Sequence, residues 1–405
     1  MKSLLFILSG NLSTTPRAQK IINLLKDDFI CDIALVSRSP AWKDKDKLLL
    51  AELSLSAISL SLGRKPFVPW FIATVKEKLS SFIYPLFSKN IDIAAFASNK
   101  SSIILGDFLK KQNNGKYDLI LGFGAGALYP SWKLSCKLGI PFAFDIEDYH
   151  PGEFIRKDVK NERRRREFLL KRLLPLASMI TSSSPMIADK INELIGGHRN
   201  HIVTLNSFPS DEFKAPERKE GKLKLVWFSQ KVTFGRGLEM LFEAVKDSFW
   251  VISLTIIGEM DLLFKSTLNS EIIENVTFLP SMLQKELHLS LAEYDVGLAL
   301  ELNSADENRQ YCLTNKILAY AQAGLYIIAT DTPAQKQFIE EDSKRGIICH
   351  QSVAGIADAV KMLISKSSSI RQEAIYRFKS ANEFASESKL LNFICGNWVF
   401  FNKLK

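Results

Sequence analysis

Cysteine is scarce in this 405-residue chain: only Cys31, Cys136, Cys312, Cys349 and Cys395 occur, widely scattered. An odd count with no C-x-x-C pair argues against both a disulfide framework and a thiolate zinc site, and fits a reducing compartment. Long hydrophobic runs are lacking too. Ser, Pro or a charge interrupts the apolar stretches short of the roughly 18 residues that a membrane-spanning helix needs. The opening MKSLLFILSG has an apolar run only from Leu4 to Leu8, too short for the core of a secretory signal, so it is expected to be a first buried strand. What is present is ordinary for a globular protein, with 46% hydrophobic and 24% charged residues, 20 Gly and 14 Pro. That composition excludes collagenous, low-complexity and wholly disordered classes, and the length allows two or three domains.

Charge is unevenly spread. Residues 1–205 carry 30 Lys and Arg against 19 Asp and Glu, a net +11, whereas residues 206–405 carry 23 against 25, a net −2. A basic half points to a polyanion, either nucleic acid or an anionic membrane surface. The basic residues are not interleaved with the aromatic platform of a recognisable nucleic-acid module, so no nucleic-acid partner is expected. A solvated basic surface is the plain alternative. Residues 48–89 are rich in Leu, Ser and Phe, are broken by Gly63, Pro66, Pro69 and Pro85, and mix Trp70, Phe71, Phe82, Tyr84 and Phe87 with Lys65, Lys76 and Lys78. Such a segment either covers a sheet or lies in a bilayer interface. The run Arg163–Arg166 is offset by Glu162 and Glu167 and reads as a solvated helical face.

Apolar strands alternate with helical patterns throughout, the signature of open parallel α/β sheets. In the second half, strands are expected over 223–229, 251–257, 276–279, 296–301, 325–329 and 346–349, with helices starting near Arg236, Leu262, Leu283, Leu313, Pro333 and Val353. In the first half they are expected near 3–9, 32–36, 118–122, 142–146, 179–181 and 202–205. Each half is therefore a doubly wound sheet. The polar, Pro-containing stretch 206–222 has the composition of an interdomain linker, giving domains 1–205 and 206–369. The helices over 370–405 follow a completed sheet and are expected to pack back toward the first domain.

Two segments of the second half can grip an anion. LVWFSQKVTFGRGLEM runs from a strand through a loop into a helix, bringing Lys231, Gly235 and Arg236 to a helix N-terminus. GLALELNSADENRQYCLTNKILAYAQAG ends a strand at Glu301, passes through a polar loop with Glu307, and opens a helix at Thr314, Asn315 and Lys316. Backbone donors, a hydroxyl, an amide and an ammonium converge there. In the first half, FDIEDYHPGE places Asp145, Glu147, Asp148, His150 and Glu153 at a strand's carboxyl end, where carboxylates and an imidazole can supply a base or bind sugar hydroxyls. Nothing fixes a metal-ligand geometry among them, and His198, His201, His288 and His350 read as surface or loop residues.

TNKILAYAQAGLYIIATDTPAQ, GRGLEMLFEA, TSSSPMIADKI with IVTLNSFPSDEF, and NLSTTPRAQKIINLL resemble, in this order of elements and over nearly the whole chain, the GT-B glycosyltransferases of the family 4-like group. The resemblance implies two Rossmann-like domains facing a cleft. It implies a nucleotide-sugar donor, with Lys231, Gly235 and Arg236 on its diphosphate, and Thr314, Asn315 and Lys316 on its phosphates or sugar. The acceptor side would involve Gly10, Asn11, Gly124 and Asp145, with Asp148 and His150 facing the reacting sugar. The family's Glu-x7-Glu pair falls at Tyr311 and Ala319, so Glu301 or Glu307 would take over a carboxylate role, the donor would be held differently, or the chain would be a silent binder. The expected function is transfer of a sugar to a lipid-linked saccharide in surface polysaccharide synthesis, without a metal or other cofactor, in the cytoplasm or on the inner face of the membrane.

A rival reading rests on Gly122-x-Gly124-x-x-Ala127 after a strand, with Asp145 about 20 residues on, a spacing that suits a dinucleotide site and an NAD-dependent oxidoreductase. Pro130 and Trp132 in the following helix and an unexplained second domain weigh against it.

Overall fold

The computed structural model describes residues 1–112, 116–217, 220–303 and 306–383, with Leu390 and Ile394. The chain divides into two compact units: Met1–Thr204 with Leu390 and Ile394, and a second that begins at Leu205.

The first unit is built on seven strands: β1 (Lys2–Leu8), β2 (Phe29–Ser37), β3 (Ala57–Ser61), β4 (Leu119–Phe123), β5 (Phe142–Ile146), β6 (Met179–Ser182) and β7 (His201–Val203). All pair in parallel in the order β3-β2-β1-β4-β5-β6-β7. β4 and β5 are buried along their whole length and β1 over its last five residues, as continuous apolar runs must be when helices cover both faces of a parallel sheet. β3 was not foreseen. Its sequence AISLS is only half-buried at the sheet edge and carries no apolar run to mark it. Leu390 and Ile394 lie in the core of this unit beside Leu4, Phe6 and Leu8.

The second unit has six parallel strands, β8 (Leu223–Val232), β9 (Ile252–Met260), β10 (Val276–Leu279), β11 (Val296–Ala299), β12 (Tyr326–Thr330) and β13 (Gly346–Cys349), ordered β10-β9-β8-β11-β12-β13. Its core gathers Trp227, Leu225, Leu298 and Ile328. Gly297 is required in β11, because a Cβ there would sit 2.2 Å from the ring of Tyr320. In both sheets the strand order reverses at the first strand, between β1 and β4 and between β8 and β11. The crevice outside the carboxyl ends at such a reversal is where open α/β sheets take ligands.

The stretch expected to be a bare linker is packed on the second unit. Gln322 accepts from the Phe208 N–H and donates to the Phe208 carbonyl, both at 2.8 Å, and the His288 ring stacks on Phe213 at 4.7 Å while its Nδ1 meets Glu212 at 2.6 Å. His288 is therefore a core residue rather than a surface one, 2% exposed. The helices Ser367–Gln372 and Ala374–Glu383 stay with this unit. The buried Arg377 fixes them by donating to the carbonyls of Gly324 (3.0 Å) and Ile370 (2.7 Å). Of the helical segment expected to run on to 405, residues past 383 other than Leu390 and Ile394, Cys395 included, lie outside the described residues. No helix among the described residues is long and apolar enough to cross a membrane.

Candidate active site

Two loops meet at the carboxyl end of the second sheet. The first leaves β8, passes Gly235 and Gly237, both at positive φ (71° and 79°), and enters the helix Leu238–Val245. A Cβ on Gly237 would lie 3.0 Å from that of Leu300, so this loop rests against the chain leaving β11 and carries Arg236 with it. Lys231 is not in the loop. It lies within β8, in register with Glu259 of β9, and is exposed. The Gly235 N–H, expected to be free for an anion, donates to Glu239 Oε1 at 2.9 Å.

The second loop is the chemically richer one. β11 ends at Ala299, so Glu301 stands just beyond the strand, 4% exposed, with its N–H donating to Thr330 Oγ1 at 2.9 Å. Lys316 Nζ meets Glu301 Oε1 at 2.8 Å, and Arg309 Nη1 meets Oε2 at 3.2 Å. Burial alone would raise the Glu301 pKa; the charges of Lys316, Arg309 and Arg236 outweigh it and hold the carboxyl below the usual range. Two cations thus pair with one carboxylate, and the charge of a third, Arg236, acts on it. The ammonium of Lys316 also lies 5.5 Å from the ring centre of Trp227. Sequence reasoning missed Arg309: nothing in its polar loop marked it, and its short helix Glu307–Tyr311 was read as loop.

The helix Asn315–Gln322 begins two residues later than expected, with Thr314 as its N-cap. Thr314 makes no side-chain cap, and its Oγ1 is buried without a partner. Asn315 is exposed at the first helical position. An uncapped N-terminus leaves amide hydrogens available, and its dipole favours an anion. Glu307 stands apart, accepting from the Tyr311 hydroxyl at 3.2 Å. Ala319, at the second carboxylate position of the resembled family, is fully buried. Arg236, Arg309 and Lys316 against Glu301 leave a surplus of positive charge at a sheet's carboxyl edge, suited to a diphosphate and to stabilising a departing one.

In the first unit the expected acceptor-side residues turn out to be mostly structural. Asp145 is 4% exposed and locked in a two-point ion pair with Arg17, at 2.6 and 2.9 Å, while also accepting from Thr181. So enclosed, it is not placed to touch an acceptor or to bind a ribose as the dinucleotide reading requires. Gly122 serves packing within β4, where a Cβ would lie 2.6 Å from Ser131 Oγ. Asn11 is fully buried, donating to Ser37 Oγ (3.1 Å) and Asp46 Oδ2 (2.7 Å) and accepting from the Arg38 N–H. Gly10 lies in the bend before it. Gly124 caps the helix Ala125–Leu138 at φ 76°, where Ser9 Oγ would come within 2.5 Å of any Cβ.

Asp148 is half-buried after β5, its carbonyl accepting from the His150 N–H. His150 is buried in a 3-10 turn, with Nδ1 3.1 Å from Glu153, and Nε2 buried without a partner. Burial would lower its pKa, but Glu153 and Asp148 raise it above the ordinary value. Glu147, a member of the same cluster to which the sequence assigns no separate role, is half-buried after β5. Burial, then repulsion from Asp148 and Asp145, pushes it up to about 7. Among the described residues no group of three or more His, Cys, Asp or Glu is arranged to hold a metal ion.

No family model matches the chain, and no curated protein matches it by sequence. Solved structures do. HepE of Anabaena, determined with UDP and also with UDP-glucose, superposes with a TM-score of 0.64 at 14% identity in the UDP complex, covering 96% of this chain and 98% of its own. A glycosyltransferase from Rickettsia africae gives 0.64 at 11% identity, covering 100% and 98%. The sucrose-phosphate synthase of Thermosynechococcus elongatus gives 0.61 at 12%, covering 96% and 98%. With two Rossmann-like units of seven and six parallel strands, the chain has the fold of the GT-B glycosyltransferases.

Proposed function

We propose that this protein is a glycosyltransferase that takes a sugar from a nucleotide diphosphate donor, of the UDP type bound by HepE. The observation that carries the reading is the pairing of Glu301 with Lys316 and Arg309, with the charge of Arg236 acting on the same carboxylate, beside the uncapped start of the 315–322 helix. The cluster and the helix dipole bind the diphosphate and stabilise the charge that develops as it departs, with no metal or other cofactor in the scheme. Glu301 stands in for the carboxylates lacking at Tyr311 and Ala319. In the first unit, Glu147, Asp148 and His150 serve the acceptor. We further propose a lipid-linked saccharide acceptor of a surface polysaccharide pathway and a cytoplasmic enzyme held peripherally on an anionic membrane, a reading supported by the +11 charge of residues 1–205.

Calorimetric titration of UDP into the wild-type protein and Arg236→Ala tests the site. Arg236 is only half-buried, so its loss spares the fold. Affinity is expected to fall about 10- to 100-fold, the scale of a lost charged hydrogen bond. Wild-type protein that binds no nucleotide diphosphate would sink the proposal. The second reading, a silent sugar-nucleotide binder, is favoured by Tyr311 and Ala319; release of UDP from UDP-glucose by the wild type but not by the variant excludes it.

A further inference from the structure

The helix Phe67–Ile83 is inside out. Its buried residues are the small Ala73 and Ser80, which face the helices Ile91–Ser98 and Lys100–Leu109 against which it packs. Its large apolar side chains point the other way: Phe67 is 60% exposed, Phe71 51%, Val75 46%, Leu79 56% and Phe82 81%, and Leu86 in the turn beyond is 79% exposed. At 100° per residue the five helical positions fall within an arc of about 120°, opposite the buried pair. A surface helix facing water carries the reverse pattern, and a contiguous apolar face of this kind marks an interaction surface.

Its charge says what covers it. Between residues 64 and 89 there are five cations, Arg64, Lys65, Lys76, Lys78 and Lys89, against a single acid, Glu77, whose carboxylate is engaged by Lys100 at 3.2 Å. Lys76 is paired with Asp107 at 2.9 Å, whereas Arg64 and Lys65 before the helix, Lys78 within the apolar arc and Lys89 beyond the helix are all exposed. A protein partner with an apolar patch would need no such collar, whereas a bilayer with anionic headgroups offers hydrocarbon for the arc and phosphates for the cations.

We infer that the exposed face of the helix Phe67–Ile83 is the membrane-docking surface of this protein, lying in the headgroup layer of an anionic bilayer. The inference rests on the proposed peripheral membrane reading and names the face that serves it. Both contributions are needed: the apolar arc supplies partitioning, and the collar supplies orientation and salt sensitivity.

The full-length protein is sedimented with vesicles of phosphatidylcholine, alone or mixed with phosphatidylglycerol, at low and high salt. Wild type is expected to sediment with the mixed vesicles at low salt and to be released by salt. Phe71→Asp/Leu79→Asp should weaken retention by about tenfold, and Lys78→Ala/Lys89→Ala by a smaller factor seen only with the anionic lipid. Both variants change exposed residues, so stabilisation by UDP, read as a thermal shift, should match wild type and keeps this test separate from the donor site. Retention of wild type and the aspartate variant alike would overturn the assignment to this helix and leave the membrane reading standing; no retention of wild type would overturn both. A self-associated wild type, dispersed by the aspartates but indifferent to vesicles, would assign the face to a second copy of the chain instead.

Discussion

Lys316 and Glu301 hold each other at 2.8 Å at the carboxyl edge of the second sheet. Each comes from a different side of a polar loop: Glu301 from the end of β11, Lys316 from the first turn of the 315–322 helix. Their pairing ties the first turn of that helix to the end of β11. Removing Glu301 leaves the buried Lys316 ammonium without its carboxylate, so Glu301→Gln should lower stability by about 3 kcal/mol, and the double variant Lys316→Met/Glu301→Gln should be less damaged than the sum of the single changes Lys316→Met and Glu301→Gln. Chemical denaturation of all three proteins measures the coupling; additive losses would show that the pair acts as two independent residues.

Glu147 carries a pH signature. Its folded pKa of about 7 lies above the ordinary carboxyl value, so the native state holds a proton that the unfolded chain has given up between about pH 4.5 and 7. Stability is therefore lost as pH rises through that window. Glu147→Gln, which cannot ionise, should be nearly neutral at pH 5 and stabilising by up to about 3 kcal/mol at pH 8. Melting curves at the two pH values decide it; an equal difference at both would mean that the carboxyl titrates normally.

Thr314 offers a clean separation of stability from binding. Its hydroxyl is buried without a partner at a helix start that lacks a side-chain cap. Thr314→Val keeps the shape and removes the unsatisfied group, which should leave the unliganded protein as stable or about 1 kcal/mol more so. If that hydroxyl meets the donor, UDP affinity falls about five- to tenfold in the same variant. An unchanged titration would release Thr314 from the site.

The strands were legible where they were buried on both faces. PFAFDI and DVGLAL read as β5 and β11 because continuous apolar runs bounded by turns have few other uses. β3 was hidden because an edge strand can afford Ser and Ala. The donor half of the site was visible through residue types that bind anions, and Lys316 meets Glu301, with the charge of Arg236 acting on the same carboxylate. What sequence left dark was commitment: Asn11 and Asp145 look like free polar groups in a loop motif, yet their hydrogen bonds go to Ser37, Asp46 and Arg17, far away in the chain. Arg309 was dark for the opposite reason, since only the fold brings it to Glu301.

The clasp on residues 206–217 changes how this chain should meet a protease. A Pro-containing polar stretch of that kind is ordinarily the first place an enzyme cuts. With the Phe208 amide and carbonyl both taken by Gln322 and the imidazole of His288 stacked on Phe213, the peptide bonds there are anchored to the second unit and withheld from a protease's cleft. Limited digestion should spare this stretch until the second unit itself begins to open.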